Sequence, residues 1–311
     1  MLDPRDIYTV DEEAVDRLFD GAAGSPGPGA GPVLVYALRG YVDAGSTGTL
    51  VLDHLLDEFE STTIATFDAD QLIDYRSKRT SITFDTDHWS DYVEPVIRLE
   101  HLRDAEGTGF LVMRGPEPDL QWERFVAATT QLVDRLATPP AVTVHGIPMG
   151  IPHTRPLTTT THATRRELLG EARSWFGRVD VPASAAALLE LRLGEAGHDA
   201  VGFAVHVPHY LSQSPYPPAA VAAIDHVERV TGLDLRVSSL DSAVLETADE
   251  VERQVAESDE VAAVVRALEE QYDAFSRSVG ESSLLAQDAP LPTADEIGDE
   301  FERFLAQQRD D

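Results

Sequence analysis

The chain of 311 residues contains no cysteine, which excludes disulfides, thiolate metal ligands and cysteine nucleophiles. Lys78 is its single lysine among 24 cationic residues, so almost no room is left for lysine chemistry, and the arginine bias points to a GC-rich genome. No apolar run approaches the roughly 18 residues of a membrane-spanning helix. The opening Met1-Leu2-Asp3-Pro4-Arg5-Asp6 lacks a basic-then-apolar export pattern, and a cytoplasmic protein is expected. Cations are scarce: 24 against 55 acids gives a net charge of −31. That balance argues against nucleic acid and against anionic membrane as partners, because both are bound mainly through cations. It fits a solubilising surface or a basic protein partner. No Gly-x-Ser-x-Gly elbow occurs, and no Gly-Lys-Ser/Thr closes a phosphate loop.

What is present alternates. Residues 1–20 carry a weak amphipathic pattern that predicts a short leading helix, and residues 21–31, rich in Gly, Ala, Pro and Ser, predict a flexible loop. A buried strand is expected over 33–38, then the turn Gly40-Tyr41-Val42-Asp43-Ala44-Gly45-Ser46-Thr47-Gly48 and a helix through Phe59. In that turn Asp43 would repel a phosphate and reads as a carboxylate for free amides, with Ser46 as the helix cap. Further strands are expected over 62–67, 81–84, 96–99 and 110–113; those at 81–84 and 96–99 look like an antiparallel excursion. Between the first two lies Asp74-Tyr75-Arg76-Ser77-Lys78-Arg79, a polar turn with three cations. Helices are predicted over 120–136, 182–195 and 217–231, the last stopped by Gly232. Residues 158–164 read as strand or loop, and 200–207 as a strand. Together these imply a three-layer α/β sandwich with a mixed sheet. Beyond Leu240 only helical spacing remains, restarting at Ser258. A linker-like break over 280–293 and a last helix over 294–307 follow. Two parts are expected: a core of residues 1–239 and a helical appendage of residues 240–311, for packing or assembly.

The stretch Val142 to Pro156 organises this plan. Residues 141–144 read as a short buried strand, after which two Gly and three Pro predict a rigid non-helical loop holding His145, His153 and Arg155. Val205-His206-Val207-Pro208-His209-Tyr210 repeats the pattern, so two strand ends are expected to meet at one cleft. Four histidines could approach a zinc site, but no carboxylate accompanies them, and packing accounts for them better; no metal or cofactor is expected. Arg155, rigidly placed beside Pro156, can grip a carboxylate or phosphate; equally, it can pair internally with Asp43 or Glu117.

The ordered set Gly40-Tyr41-Val42-Asp43-Ala44-Gly45, Asp74-Tyr75-Arg76, Gly115-Pro116-Glu117-Pro118-Asp119, Gly146-Ile147-Pro148, His153-Thr154-Arg155-Pro156, and Val207-Pro208-His209-Tyr210 with Tyr216-Pro217 resembles the proteasome assembly chaperone 2 family, in its actinobacterial branch. The resemblance implies an α/β/α fold similar to nucleoside phosphorylases with an added helical C-terminus. It also implies an interaction protein rather than an enzyme: self-associating, homo-oligomeric, with proteasome subunits as further partners. Two departures stand out. Eukaryotic relatives dock on proteasome α rings through a hydrophobic-Tyr-X ending, whereas this sequence closes on Arg309-Asp310-Asp311, and Arg79 is followed by Thr80 where an Arg-Pro pair is expected. The competing expectation is a small-molecule enzyme or sensor whose cleft is lined by Asp43, Arg76, Arg79, His153, Arg155, His209 and Tyr210.

Overall fold

A computed structural model describes residues 2–19, 31–136, 140–170 and 177–282. The opening segment is not one helix. Asp3 accepts the Arg5 amide and caps a 3-10 turn, Pro4–Ile7, with proline at its first turn. Strand β1 (Tyr8–Val10) follows, and then helix α1 (Glu12–Phe19), whose Ala14 amide donates to Asp11. Tyr8, Thr9 and Val10 suit a pleated ladder, and they pair antiparallel with Phe67, Thr66 and Ala65.

The first βα unit is strand β2 (Val33–Tyr36) and helix α2 (Thr47–Glu58). Strand β3 (Ser61–Phe67) leads to a one-turn helix, α3 (Ala69–Leu72), capped by Asp68. Strands β4 (Thr83–Asp85) and β5 (His88–Ser90) form a separate two-stranded hairpin. The strand expected near 81–84 therefore does not pair with the one near 96–99. Strand β6 (Ile97–Arg103) instead lies between β3 and strand β7 (Gly109–Arg114), antiparallel to both. Helix α4 (Trp122–Leu136) precedes strand β8 (Ala141–Met149). Strand β9 (Thr159–Ala163), helix α5 (Ala185–Glu195), strand β10 (Ala200–Pro208) and helix α6 (Pro217–Thr231) complete the alternation. α5 begins at Ala185 rather than at the expected 182, capped by Ser184, and Gly232 ends α6 in the left-handed conformation, as the sequence predicts.

The eight-stranded sheet has the order β1-β3-β6-β7-β2-β8-β10-β9. Its centre, β7-β2-β8-β10, is parallel, and its flanks are antiparallel. Strand alternation splits the core in two. Leu34, Tyr36, Leu111 and Met113 pack beneath α1, α4 and α5. Val35, Val112, Val142, Val144, Val201, Phe203, Val205 and Val207 pack beneath α2 and α6. The three-layer sandwich with a mixed sheet is thus the observed fold. Each fully buried Val or Phe in those rows stabilises it by roughly 1.5–3 kcal/mol.

β8 corrects the expected loop at 145–156. The strand runs through His145, Gly146, Ile147 and Pro148 to Met149, with Met149 opposite Pro208 of β10. Proline is tolerated because β2 pairs only with residues 141–143 of β8. The Gly146 amide points to that open side, toward Asp43. By strand alternation Pro148 turns its donorless nitrogen the same way, where no ladder bond is lost.

After a 3-10 turn at Val237–Leu240 come helices α7 (Asp241–Ala256) and α8 (Asp259–Ser282). Ser258 accepts the Val261 amide at the restart. α8 continues through Gly280, where a break was expected. Residues 283–293 of the expected linker, the expected helix at 294–307 and residues 21–30 of the Gly-rich loop lie outside the described residues. Among the described residues, no helix is long and apolar enough to cross a membrane.

Candidate functional site

The parallel strands β7 and β2 end at Arg114 and Tyr36, and β8 and β10 run on past them to Met149 and Pro208, so the loops after all four leave the same edge of the sheet, its rim. Sheets of this type place ligands at that rim.

The turn after β2 is built around Asp43. Its Oδ1 accepts the Gly48 amide at 2.7 Å, and its Oδ2 accepts the Thr49 amide at 3.1 Å and the Thr49 hydroxyl at 3.0 Å. A longer bond of 3.4 Å comes from the Gly146 amide of β8. The carboxylate thus meets the free amides of the first turn of α2, favoured there by charge as well as by hydrogen bonding. Ser46, expected to cap this helix, makes no capping bond and sits at φ 52°. The chain can turn this tightly because Gly45 adopts φ 66°. A Cβ on Gly146 would lie 2.0 Å from the Ala44 carbonyl oxygen, so glycine there lets the turn rest on β8. The Gly45 amide donates to the Ser212 carbonyl, and the Tyr216 amide to the Gly45 carbonyl, each at 2.8 Å. These two bonds join the Asp43 turn to the segment after β10.

The loops after β8 and β10 meet through His153 and Tyr210. The His153 amide donates to the Tyr210 hydroxyl at 2.9 Å, and that hydroxyl lies 2.7 Å from His153 Nδ1. A phenol accepting one bond has its own proton to give, so Tyr210 donates to Nδ1 and leaves the proton of the neutral ring on Nε2. Burial pushes the His153 imidazole below its usual range, which favours this neutral form. Burial likewise raises the Tyr210 phenol. His209 is exposed at the start of the same turn, its ring edge-on to Tyr210 at 5.4 Å.

Arg155 is not free. Its Nε and Nη2 donate to Asp273 at 2.8 and 2.7 Å, and its Nη1 donates to Glu269 at 3.1 Å, both carboxylates projecting from α8. The Asp273 hydrogen bond raises the Arg155 pKa, and the same bond lowers that of Asp273. The internal partners weighed from sequence, Asp43 and Glu117, are both occupied elsewhere. Asp43 holds α2, and Glu117 accepts the Ala185 amide at the start of α5 at 2.6 Å. Around the ion pair, Thr154 donates to Glu269 at 2.5 Å and Tyr272 donates to the Pro156 carbonyl at 3.1 Å. α8 is thus latched to the β8 loop by a bidentate guanidinium and two hydroxyls.

Arg76 and Arg79 belong to a different group. Arg76, almost fully exposed, pairs with Asp74 at 3.3 Å, and Arg79 is exposed. Lys78 pairs with Asp119 at 2.8 Å and also donates to the Glu117 carbonyl. The residues named from sequence therefore fall in two places. His153, Arg155, His209 and Tyr210 cluster, Asp43 is tied to them through Gly45, and the 76–79 cations stand apart. Sequence reasoning missed Glu269, Tyr272 and Asp273. Their only signal was a carboxylate pair at i, i+4 on one helix face.

The other two of the four histidines named from sequence, His206 and His145, lie within strands. His206 of β10 is buried with Thr158 and Thr160 hydroxyls at 2.7 and 2.8 Å from its two ring nitrogens, and burial pushes its pKa down to about 4. His145 is pushed to about 4 by burial and by His162, whose ring is 6.0 Å away. Among the described residues, no three His, Asp or Glu side chains converge as metal ligands. A cavity lined by Arg39, Thr49, Asp53 and Arg114 holds about 20 Å³, room for a water molecule.

A mixed three-layer α/β sandwich whose strand-end rim is fastened to a C-terminal helix is the class of protein this geometry defines. The model of the PAC2 family matches residues 37–257, and the chain belongs to that family. Among solved structures, a Mycobacterium tuberculosis protein of unknown function is 41% identical with a TM-score of 0.81, the match covering 89% of this chain and 92% of that one. A Corynebacterium glutamicum protein of unknown function is 34% identical with a TM-score of 0.78, covering 86% and 97%. A proteasome-assembly chaperone homologue from Mycobacterium tuberculosis is 26% identical with a TM-score of 0.69, covering 75% and 99%. Among curated protein sequences, none matches this chain.

Proposed function

We propose that this chain is a non-enzymatic, assembly-chaperone-like protein of the cytoplasm that associates with itself and acts on proteasome subunits. The observation that carries the reading is Arg155. The rim's best anchor for a carboxylate or phosphate is spent on Asp273 and Glu269, so the strand ends fasten a helix instead of presenting a charged ligand site. In this reading residues 1–239 form the core and residues 240–311 the appendage, and α8 of that appendage is bound to the loop after β8. The similarity to a mycobacterial proteasome-assembly chaperone homologue supports proteasome subunits as the partner. The rim side chains Asp43, His153 and Tyr210 then set the shape of the surface, with no substrate to turn over.

The test is native mass spectrometry of the purified full chain mixed with separately purified proteasome α subunits from the same organism. A complex of defined stoichiometry, with α subunits assembling faster than they do alone, is the expected result. Unchanged assembly with no complex would overturn the proposal.

A further inference from the structure

The face of the sheet that packs beneath α2 carries a row of arginines with too few acids to neutralise it. Arg98 of β6 and Arg114 of β7 are register partners, so their side chains leave one face of the sheet directly opposite one another. That face is the α2 side, because Leu102 and Val112, which alternate in step with them, belong to the core beneath α2. Ala37, just past the end of β2, belongs to the same core. Arg39 lies two residues further on, and its backbone bridges to Pro116, two residues beyond Arg114. Arg39 and Arg114 line one small cavity together with Thr49 and Asp53 of α2. Three guanidiniums therefore stand side by side, on β6, on β7 and on the extension of β2, which are neighbours in the sheet.

Their partners do not match them. Glu100, buried and two residues from Arg98 on the same face, is taken by Arg114, whose Nε and Nη2 donate to it at 2.7 and 3.4 Å. The Nε of Arg98 is buried with no hydrogen-bond partner. Among the described residues, neither Arg98 nor the exposed Arg39 has a side-chain hydrogen bond or ion pair. The one acid lining the cavity, Asp53, is exposed and bonds to none of the three. Like charges directly opposite one another on a ladder are destabilising, and a buried charged donor without an acceptor is more costly than a neutral one. On a chain of net charge −31, a local surplus of cations around a cavity favours an anion there. The forked N–H groups of a guanidinium match the oxygens of a carboxylate or phosphate. The cavity holds only about 20 Å³, so it admits a head group and no more.

We infer that Arg39, Arg98 and Arg114 form a binding site for one small oxyanion, a carboxylate or a phosphate, held between α2 and the β6–β7 ladder. The site lies across β2 from the loops after β8 and β10. It depends on neither the Arg155 latch nor the proposed assembly role.

Thermal unfolding of the full chain, with sodium phosphate or sodium acetate replacing sodium chloride at constant ionic strength, tests the inference. Ionic strength is fixed because any salt screens the self-repulsion of so acidic a chain. The expected result is a saturable rise in the midpoint, about 3 °C at about twentyfold excess over a dissociation constant of about 1 mM. The probe that gives the larger rise identifies the head group. Two variants separate the site from the general effect of phosphate on protein surfaces. Arg39→Gln, at an exposed position, is expected to lose most of the rise at unchanged circular dichroism. Arg98→Leu is expected to lose the rise while its midpoint in chloride stays level or increases, because it deletes a buried unpaired charge; a merely structural arginine would lower that midpoint. No saturable rise with either probe overturns the inference. A rise of wild-type size in both variants places the anion elsewhere and overturns it as well.

Discussion

If Asp43 is a structural carboxylate, Asp43→Ala strips the first turn of α2 of its acceptor. The Gly48 and Thr49 amides, bound at 2.7 and 3.1 Å, lose their partner, together with the Thr49 hydroxyl and the weaker link to Gly146 on β8. Losing a cap costs about 0.5–2 kcal/mol, and a hydrogen bond to a charged acceptor contributes about 1.5–3 kcal/mol. The bonds share one group and are not additive, so about 3 kcal/mol is expected for the substitution as a whole. For a chain of this size that lowers the thermal midpoint by roughly 4–6 °C. Asp43→Asn keeps one carbonyl oxygen for Gly48 but turns an amide donor toward the Thr49 amide and removes the charge, so about half the loss is expected to remain. Urea unfolding followed by far-ultraviolet circular dichroism reads both variants as a fall in midpoint at constant slope. A midpoint for Asp43→Ala equal to wild type would refute the capping role and return Asp43 to the list of ligand-binding candidates.

Three other perturbations probe the rest of the rim. Gly146→Ala drives a Cβ to 2.0 Å from the Ala44 carbonyl oxygen; a loss of about 3 kcal/mol or more in urea unfolding is expected, and a neutral result would contradict the close approach. The His206 pKa is pushed down to about 4, so below about 6.5 the unfolded chain binds a proton that the folded chain refuses. Stability then falls with pH between roughly 6.5 and 4, His206 contributing up to about 3 kcal/mol. His206→Gln should flatten that part of the pH–stability curve, and an unchanged slope would refute it. Arg155→Met leaves Asp273 and Glu269 facing the rim without a cation, so several-fold faster amide hydrogen exchange in α8 is expected; wild type in about 1 M salt should move the same way as the pairs are screened. Exchange in α8 unchanged by either treatment would show that the latch does not hold the helix.

Local chemistry was legible in the sequence, and long-range pairing was not. Residues 217–232 announce their helix with proline at its start and glycine at its end, and both do what those residue types require. Asp43 followed by Gly45 marked a turn carboxylate, and its bonds lie within six residues except for one to Gly146. The length of β8 was hidden because Gly146 and Pro148 read as breakers. Only the early end of β2 makes a proline harmless there, and that depends on a neighbour more than a hundred residues away in sequence. The same distance hid the partners of Arg155. It lies 114 residues from Glu269 and 118 from Asp273, and no local pattern pairs them. Residues 8–10 went to a strand rather than a helix because an open edge of β3 was waiting for them. The hairpin strand at 88–90 was missed because His88, Trp89 and Ser90 show no alternation long enough to register.

Deletion of the gene in its own host, with native-gel and mass-spectrometric resolution of the proteasome subunits, decides most directly whether this chain is an assembly factor. Unassembled α subunits and incomplete particles should accumulate, and re-expression of the intact chain should clear them. A proteasome profile identical with and without the gene would contradict the assembly role and turn attention to what the Arg155 latch uncovers when it opens.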